Sequence, residues 1–217
     1  MTLLRKELLR ALLAMLVFTL LLGVAYPLVV TGIGQLAFRP QANGELVHVH
    51  GKLVGSKLIG QNFALPVFRD GKPEYSHGVL VTRPDPRYFQ TRPSGTTPAD
   101  NAAATSFANY GPNSIVTEKA IAANIAAYIA LNGRYYPGGL TAAKVPVDAA
   151  DTSASGVDPD ISVANARIQA YRVAAVRHLP LATVDALVRR YTIARSLGFL
   201  GEPSVDVLEL NLALDRL

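Results

Sequence analysis

Residues 5–39 read RKELLRALLAMLVFTLLLGVAYPLVVTGIGQLAFR, and this stretch decides the fold. Arg5, Lys6, Glu7 and Arg10 are followed by about 28 residues, Ala11 to Phe38, without one charged side chain. About 20 apolar residues in a helix suffice to cross a bilayer. The stretch predicts a transmembrane helix over 11–38, a short N-terminus over 1–10 and one soluble domain over 39–217. Three cations precede the span and only Arg39 follows it closely. Lys and Arg near a span favour the cytoplasmic side. The expectation is a bacterial inner-membrane protein that crosses the bilayer once, N-terminus in the cytoplasm and C-terminal domain outside it. A cleaved signal peptide is the competing reading, with Gly23-Val24-Ala25 as the cleavage site. Secretory apolar cores run only about 7–15 residues, whereas this one continues through Leu28, Val29, Val30, Ile33 and Leu36. Gly23, Pro27, Gly32 and Gly34 are unusual for a plain anchor. Small residues let a second helix approach, and Pro bends the chain.

The chain has 217 residues, 50% of them hydrophobic, and a formal net charge of +5. Setting aside Arg5, Lys6, Arg10 and Glu7 leaves 18 cationic against 15 anionic residues in the remainder. Part of the basicity therefore belongs to the N-terminal flank. No Lys/Arg run is interleaved with aromatics, so nothing points to nucleic acid. The chain has no cysteine; disulfides, thiol nucleophiles and thiolate metal sites are excluded.

Residues 39–114 are rich in Gly, Pro, Asn and Ser, which predicts short strands among turns. Leu46-Val47 and Val79-Leu80-Val81 are the apolar runs, and Asn43-Gly44 and Asp70-Gly71 are turn signals. Beyond them, Thr117 is expected to cap a helix with Ile121, Ile125, Tyr128 and Ile129 inward, ended by Asn132-Gly133. Val145-Pro146-Val147-Asp148 reads as a strand. Ser162 opens a helix that runs to about His178 and stops at Pro180. Thr183 is expected to cap the next helix, with Leu187, Val188 and Tyr191 inward and Gly198 or Gly201 closing the region. Val205–Leu214 fits a strand or a helix, and helix is preferred because Leu, Glu and Ala dominate. The fold class is α+β: one N-terminal transmembrane helix, then a single extracytoplasmic α+β domain without disulfides.

No nucleophile elbow, phosphate loop, dinucleotide fingerprint or H-E-x-x-H motif occurs. His48 and His50 would share a strand face, but two ligands fall short of a zinc site. Asp148, Asp151, Asp158 and Asp160 lack the alternating ladder of a calcium loop. No catalytic residue and no metal site are expected. A membrane-tethered envelope enzyme and an extracytoplasmic ligand-binding or sensory module remain the alternatives.

Several polar strings are distinctive: Gly55-Ser56-Lys57-Leu58-Ile59-Gly60-Gln61-Asn62-Phe63, Tyr88-Phe89-Gln90-Thr91-Arg92-Pro93-Ser94, and Ser153 to Ser162. Gln169 is followed by Arg172-Val173-Ala174, and the chain closes on Gly201-Glu202-Pro203-Ser204-Val205-Asp206-Val207-Leu208-Glu209-Leu210-Asn211-Leu212-Ala213-Leu214-Asp215. Together, from Tyr26-Pro27 to the last residues, the chain resembles the C subunit of the Kdp-type potassium-transporting P-type ATPase. It departs from that pattern at Thr105 to Gly111, where the family usually has a Ser-Gly-Gly-Ser-Asn string, and in a longer excursion over 64–87. The resemblance implies a non-catalytic subunit needed for assembly and stability, acting as a catalytic chaperone that raises the ATP affinity of the catalytic subunit. The implied partners are a potassium-binding channel-like subunit, that P-type ATPase subunit, a small single-helix subunit and the lipid bilayer. No tightly bound cofactor is implied; ATP enters only through the complex. The position matching the family's suggested nucleotide contact is Gln169. Tyr26, Pro27, Tyr88, Arg92 and Asn211 are the expected partner contacts.

Overall fold

The computed structural model describes residues 2–104, 109–111 and 113–217, so most of the altered 105–113 string lies outside the described residues. The chain divides after Leu46, and Val47–Leu217 forms the second unit.

The first unit is helical. α1 (Thr2–Leu20) passes through one π turn (Leu21–Ala25) into α2 (Tyr26–Ala37), and a single turn α3 (Arg39–Ala42) follows. Leu, Ala and Met favour helix throughout. Helix already covers the charged start, where Arg10 Nη1 donates to Glu7 at 2.7 Å. The π turn has a local cause. Pro27 has no N–H, so the regular bond to the residue four before it is lost. Tyr26 instead donates to the Leu21 carbonyl, five residues back. Over Leu3–Ala37 the helix is long and apolar enough to cross a membrane, and its side chains are unburied.

The second unit opens with paired strands, β1 (Leu46–Val49) and β2 (Lys52–Ser56). The turn between them is left-handed at His50 (φ 48°) and Gly51 (φ 75°). His50 is thus a turn residue rather than a strand neighbour of His48.

Residues 64–84 fold into a three-armed meander. β3 (Ala64–Pro66) pairs with β8 (Thr82–Pro84), β4 (Phe68–Arg69) with β5 (Lys72–Pro73), and β6 (Tyr75–Ser76) with β7 (Val79–Leu80), all antiparallel. At its centre Val67 N–H donates to Val81, Val81 to Glu74 and Glu74 to Val67, a closed ring of bonds at 2.8–2.9 Å. Asp70-Gly71 makes the expected turn, with both residues left-handed.

Next come α4 (Ile115–Asn132) and α5 (Val147–Ala150). Ser114, not Thr117, caps α4; its Oγ accepts from the Thr117 N–H. The strand expected over Val145–Asp148 is instead a turn and a short helix. Pro146 (φ −62°, ψ 148°) sets the helix start, and the Asp148 carboxylate is drawn to the next helix.

The core follows. β9 (Asp160–Ser162) runs straight into α6 (Val163–Arg177), which packs on α7 (Leu181–Arg190). β10 (Thr192–Ile193) leads through a hairpin to β11 (Ser204–Asp206), which runs straight into α8 (Val207–Leu214). The sheet order is β10-β11-β9, antiparallel, with Val205 opposite Ile161. Each strand ends on a residue that caps its helix: Ser162 Oγ accepts from Asn165 N–H, and Asp206 from Glu209 N–H. Ile161, Ala170, Val173, Val188, Val205 and Leu210 are at the centre of the buried apolar cluster. α6 ends at His178 in the left-handed conformation (φ 56°). α7 starts at Leu181, without the expected Thr183 cap; Pro180 precedes it with a preset φ of −58°. It ends at Tyr191, so Gly198 and Gly201 belong to the later hairpin.

Candidate functional site

The string 88–94 lies in no strand, yet its backbone is held as a ladder would hold it. Phe89 is fully buried. Its N–H donates to Asn211 Oδ1 and its carbonyl accepts from Asn211 Nδ2, both at 2.9 Å. The next residue is held the same way. Gln90 N–H donates to Gln169 Oε1 at 2.8 Å, and its carbonyl accepts from Gln169 Nε2 at 3.0 Å. Two side-chain amides thus stand in for a neighbouring strand. Gln90 adds its own amide, donating to the carbonyls of Phe63, Asp85 and Tyr88.

Gln169 has nothing left over. Oε1 also accepts from Arg172 Nη2 at 2.8 Å, and Nε2 also donates to Asn165 Oδ1 at 2.9 Å. An amide has two donors and two acceptor positions, and all four are engaged at 1% exposure. Arg172 beside it is fully buried and held by neutral acceptors: Asn132 Oδ1 and the carbonyls of Pro86 and Tyr88, besides Gln169. Burial of this guanidinium lowers its pKa to about 10. The chain of bonds continues through Asn165, which accepts from Tyr128 Oη at 2.8 Å. It ends on Asp148, whose carboxylate accepts from Ser162 N–H, Ser162 Oγ and Asn165 Nδ2. Burial raises the Tyr128 pKa.

Tyr88 closes one edge. Its hydroxyl donates to Asp215 at 3.0 Å, and the Arg177 guanidinium lies 4.6 Å from the ring centre while also donating to Asp215. Arg92 closes the other. It reaches Asp158 at 3.4 Å and the Thr152 carbonyl at 3.2 Å; its buried Nε has no acceptor among the described residues. Gly60 explains why its string carries a glycine there. Its N–H donates to the Val157 carbonyl at 2.7 Å, and a Cβ would sit 2.8 Å from the Asp158 carbonyl oxygen.

Of the residues singled out from the sequence, Tyr88, Arg92, Gln169 and Asn211 therefore meet on one string. Asn211, expected at a partner surface, has 0% exposure and spends both ends of its amide on Phe89. In this structure it is an internal clamp. Tyr26 and Pro27 lie on the apolar helix, unburied. Sequence reasoning missed Arg172, Asn165 and Gln90. One signal was available: Gln169 and Arg172 share a helix with the inward Ala166, Ala170 and Val173, and polar groups among such neighbours must find partners inside.

The profile of the family described as "K+-transporting ATPase, c chain" matches residues 8–216. The chain belongs to the KdpC family. The potassium-transporting ATPase KdpC subunit of Methylococcus capsulatus is 48% identical over 208 residues, 95% of this chain and 96% of that one. That of Mycobacterium tuberculosis (strain ATCC 25618 / H37Rv) is 44% identical over 213 residues, covering 98% and 100%. That of Herminiimonas arsenicoxydans is 42% identical over 201 residues, 92% of each chain. Membership in KdpC makes the chain a membrane-associated subunit of a potassium-transporting ATPase. In this subunit the clamp fixes a largely covered string, 88–94, against α6 and α8.

Proposed function

We propose that this chain is a non-catalytic accessory subunit that assembles and stabilises the potassium pump. In this reading α1 and α2 cross the bacterial inner membrane with the N-terminus in the cytoplasm. The domain stands outside, over the potassium entrance of a channel-like subunit. The catalytic P-type ATPase subunit and a small single-helix subunit complete the assembly. The observation that carries the reading is the amide clamp: the buried Asn211, Gln169 and Arg172 are committed to holding Tyr88, Phe89 and Gln90. The same observation bears on ATP. Contact with nucleotide would require Gln169 to give up bonds to Gln90, Asn165 and Arg172. Any rise in the ATP affinity of the catalytic subunit is then passed through the complex, with Gln169 acting as a positioning residue. Tyr88 and Arg92 are proposed partner contacts through the string they brace, and Tyr26 and Pro27 through the span.

The test is mass spectrometry of what co-purifies with the tagged full chain from native membranes in mild detergent, after growth in low potassium. A P-type ATPase subunit and a channel-like subunit in fixed ratio are expected. A folded chain that comes away alone would overturn the reading.

A further inference from the structure

The stretch just past the apolar helix, Arg39-Pro40-Gln41-Ala42-Asn43-Gly44-Glu45, has the composition of a loose joint. The structure instead holds it by a series of hydrogen bonds. Phe38 (φ −132°, ψ 37°) breaks the helix while its N–H still donates to the Gly34 carbonyl at 2.9 Å. α3 starts at once, and Ala42 N–H donates to the Phe38 carbonyl at 2.8 Å. Gly44 (φ 82°) and Glu45 (φ 43°) then turn left-handed, and Glu45 N–H closes the turn on the Pro40 carbonyl at 2.8 Å. β1 begins at the next residue, Leu46.

Two side-chain amides lock this corner. Asn43 Nδ2 donates to Gln35 Oε1 at 3.0 Å and to the Arg39 carbonyl at 2.6 Å, and Gln35 Nε2 donates back to Asn43 Oδ1 at 3.4 Å. The pair joins the last turn of α2 to the turn that follows α3. It lays α3 against α2: Gly34 is half-buried where its neighbours along the helix are exposed, and a Cβ on it would lie 3.7 Å from the Ala42 Cβ. In water such an exposed pair contributes little. At the end of an apolar helix the surroundings differ. The last carbonyls of a helix have no partner within it. Gln35 stands inside the uncharged run that ends at Phe38, and in lipid a polar group must be satisfied by the protein itself. Arg39, the first charge since Arg10, marks where that run gives way to water.

We propose that residues 34–45 are a fixed elbow at the membrane surface, with Gln35 and Asn43 as positioning residues. Their amide pair sets the direction in which the chain leaves α2, so that less orientational freedom is lost when this subunit joins the others of the pump. The proposal rests on the accessory-subunit reading above. A swivel at the same place would leave the chain beyond Leu46 to meet its partners from many directions.

The test uses the full chain, whose lack of cysteine allows paired spin labels at Val17→Cys and Leu46→Cys, both exposed positions. In nanodiscs of phosphatidylethanolamine and phosphatidylglycerol, pulsed electron resonance is expected to give one narrow distance distribution. Asn43→Ala and Gln35→Ala are each expected to at least double its width. The double variant is expected to go no further than Asn43→Ala, because one change already breaks the pair. Gln41→Ala, on the same turn but outside the pair, keeps the narrow distribution. The second readout is the partner subunits recovered per tagged chain from native membranes. Asn43→Ala is expected to lower it at least threefold while the thermal unfolding midpoint of the chain alone in detergent stays unchanged, since neither amide packs in the buried core. A broad distribution in the unmutated chain, or a width that Asn43→Ala leaves alone, overturns the elbow. Broadening with wild-type recovery overturns its role in assembly. An unmutated chain with a narrow distribution that recovers no partner sinks the accessory reading instead.

Discussion

Asn211 is where one side chain decides most. It is buried, and both ends of its amide are bonded to Phe89. Asn211→Ala would leave a buried N–H and a buried carbonyl without partners. Each such loss costs about 1–3 kcal/mol, so the variant is expected to lose about 2–4 kcal/mol in urea unfolding. Asn211→Asp is expected to do no better, because a carboxylate cannot donate to the Phe89 carbonyl. Wild-type stability in either would show that the clamp is idle. Asp206 offers a pH test. Burial pushes its carboxyl up to about 6, with Glu209 and Asp160 adding to that and Lys57 and the Glu209 N–H bond opposing it. The folded chain therefore holds this proton more tightly than the unfolded chain, whose carboxyl stays near 3.8. Stability from this group is full below about pH 4 and is lost as pH rises to about 6. Asp206→Asn keeps an oxygen for the Glu209 N–H and removes the charge. It is expected to flatten the pH 4–6 slope and to be more stable at pH 7.5 by on the order of 1 kcal/mol. Equal slopes in thermal melts of the two chains would refute this.

Among the elements, helix starts and stops divide into those the residues announce and those the neighbours choose. Ser162 announces α6, and the inward period of α4 shows in Ile121, Ile125, Tyr128 and Ile129, all half-buried. The 145–148 segment does not announce itself. Val-Pro-Val has strand character, but the Asp148 carboxylate is held by the first turn of α6, seventeen residues away at Asn165. That tertiary bond outweighs a weak local preference. The stop of α6 gives a direct test. His178 sits left-handed and exposed, where glycine carries no steric penalty. His178→Gly is expected to raise stability by about 0.5 kcal/mol, the balance of relieved strain and added chain entropy. A lower midpoint in thermal unfolding would mean that the imidazole has an unseen role.

At the scale of the whole molecule, the proposed orientation is open to a clean assay because the chain has no native cysteine. Ser76→Cys, on the exposed meander, is expected to react with a membrane-impermeant maleimide in intact spheroplasts. Labelling only after lysis would reverse the orientation. Much of the molecule was readable from residues alone. The apolar span, the helical C-terminal half, the closing helix over 207–214 and the family follow from composition, period and ordered short strings, all of which are local. The apolar helix needed no neighbours, since 28 uncharged residues are long enough to cross a bilayer whatever follows them. The site was only half readable. Tyr88, Arg92, Gln169 and Asn211 stood out as unusual residues, but their joint task did not, because the clamp joins positions 79 and 122 residues apart. Whether an amide meets a partner, a nucleotide or its own backbone depends on which chain segment folding brings within 3 Å of it. Short-range pattern carries no record of that distance; packing of α6 and α8 against residues 88–94 decided it.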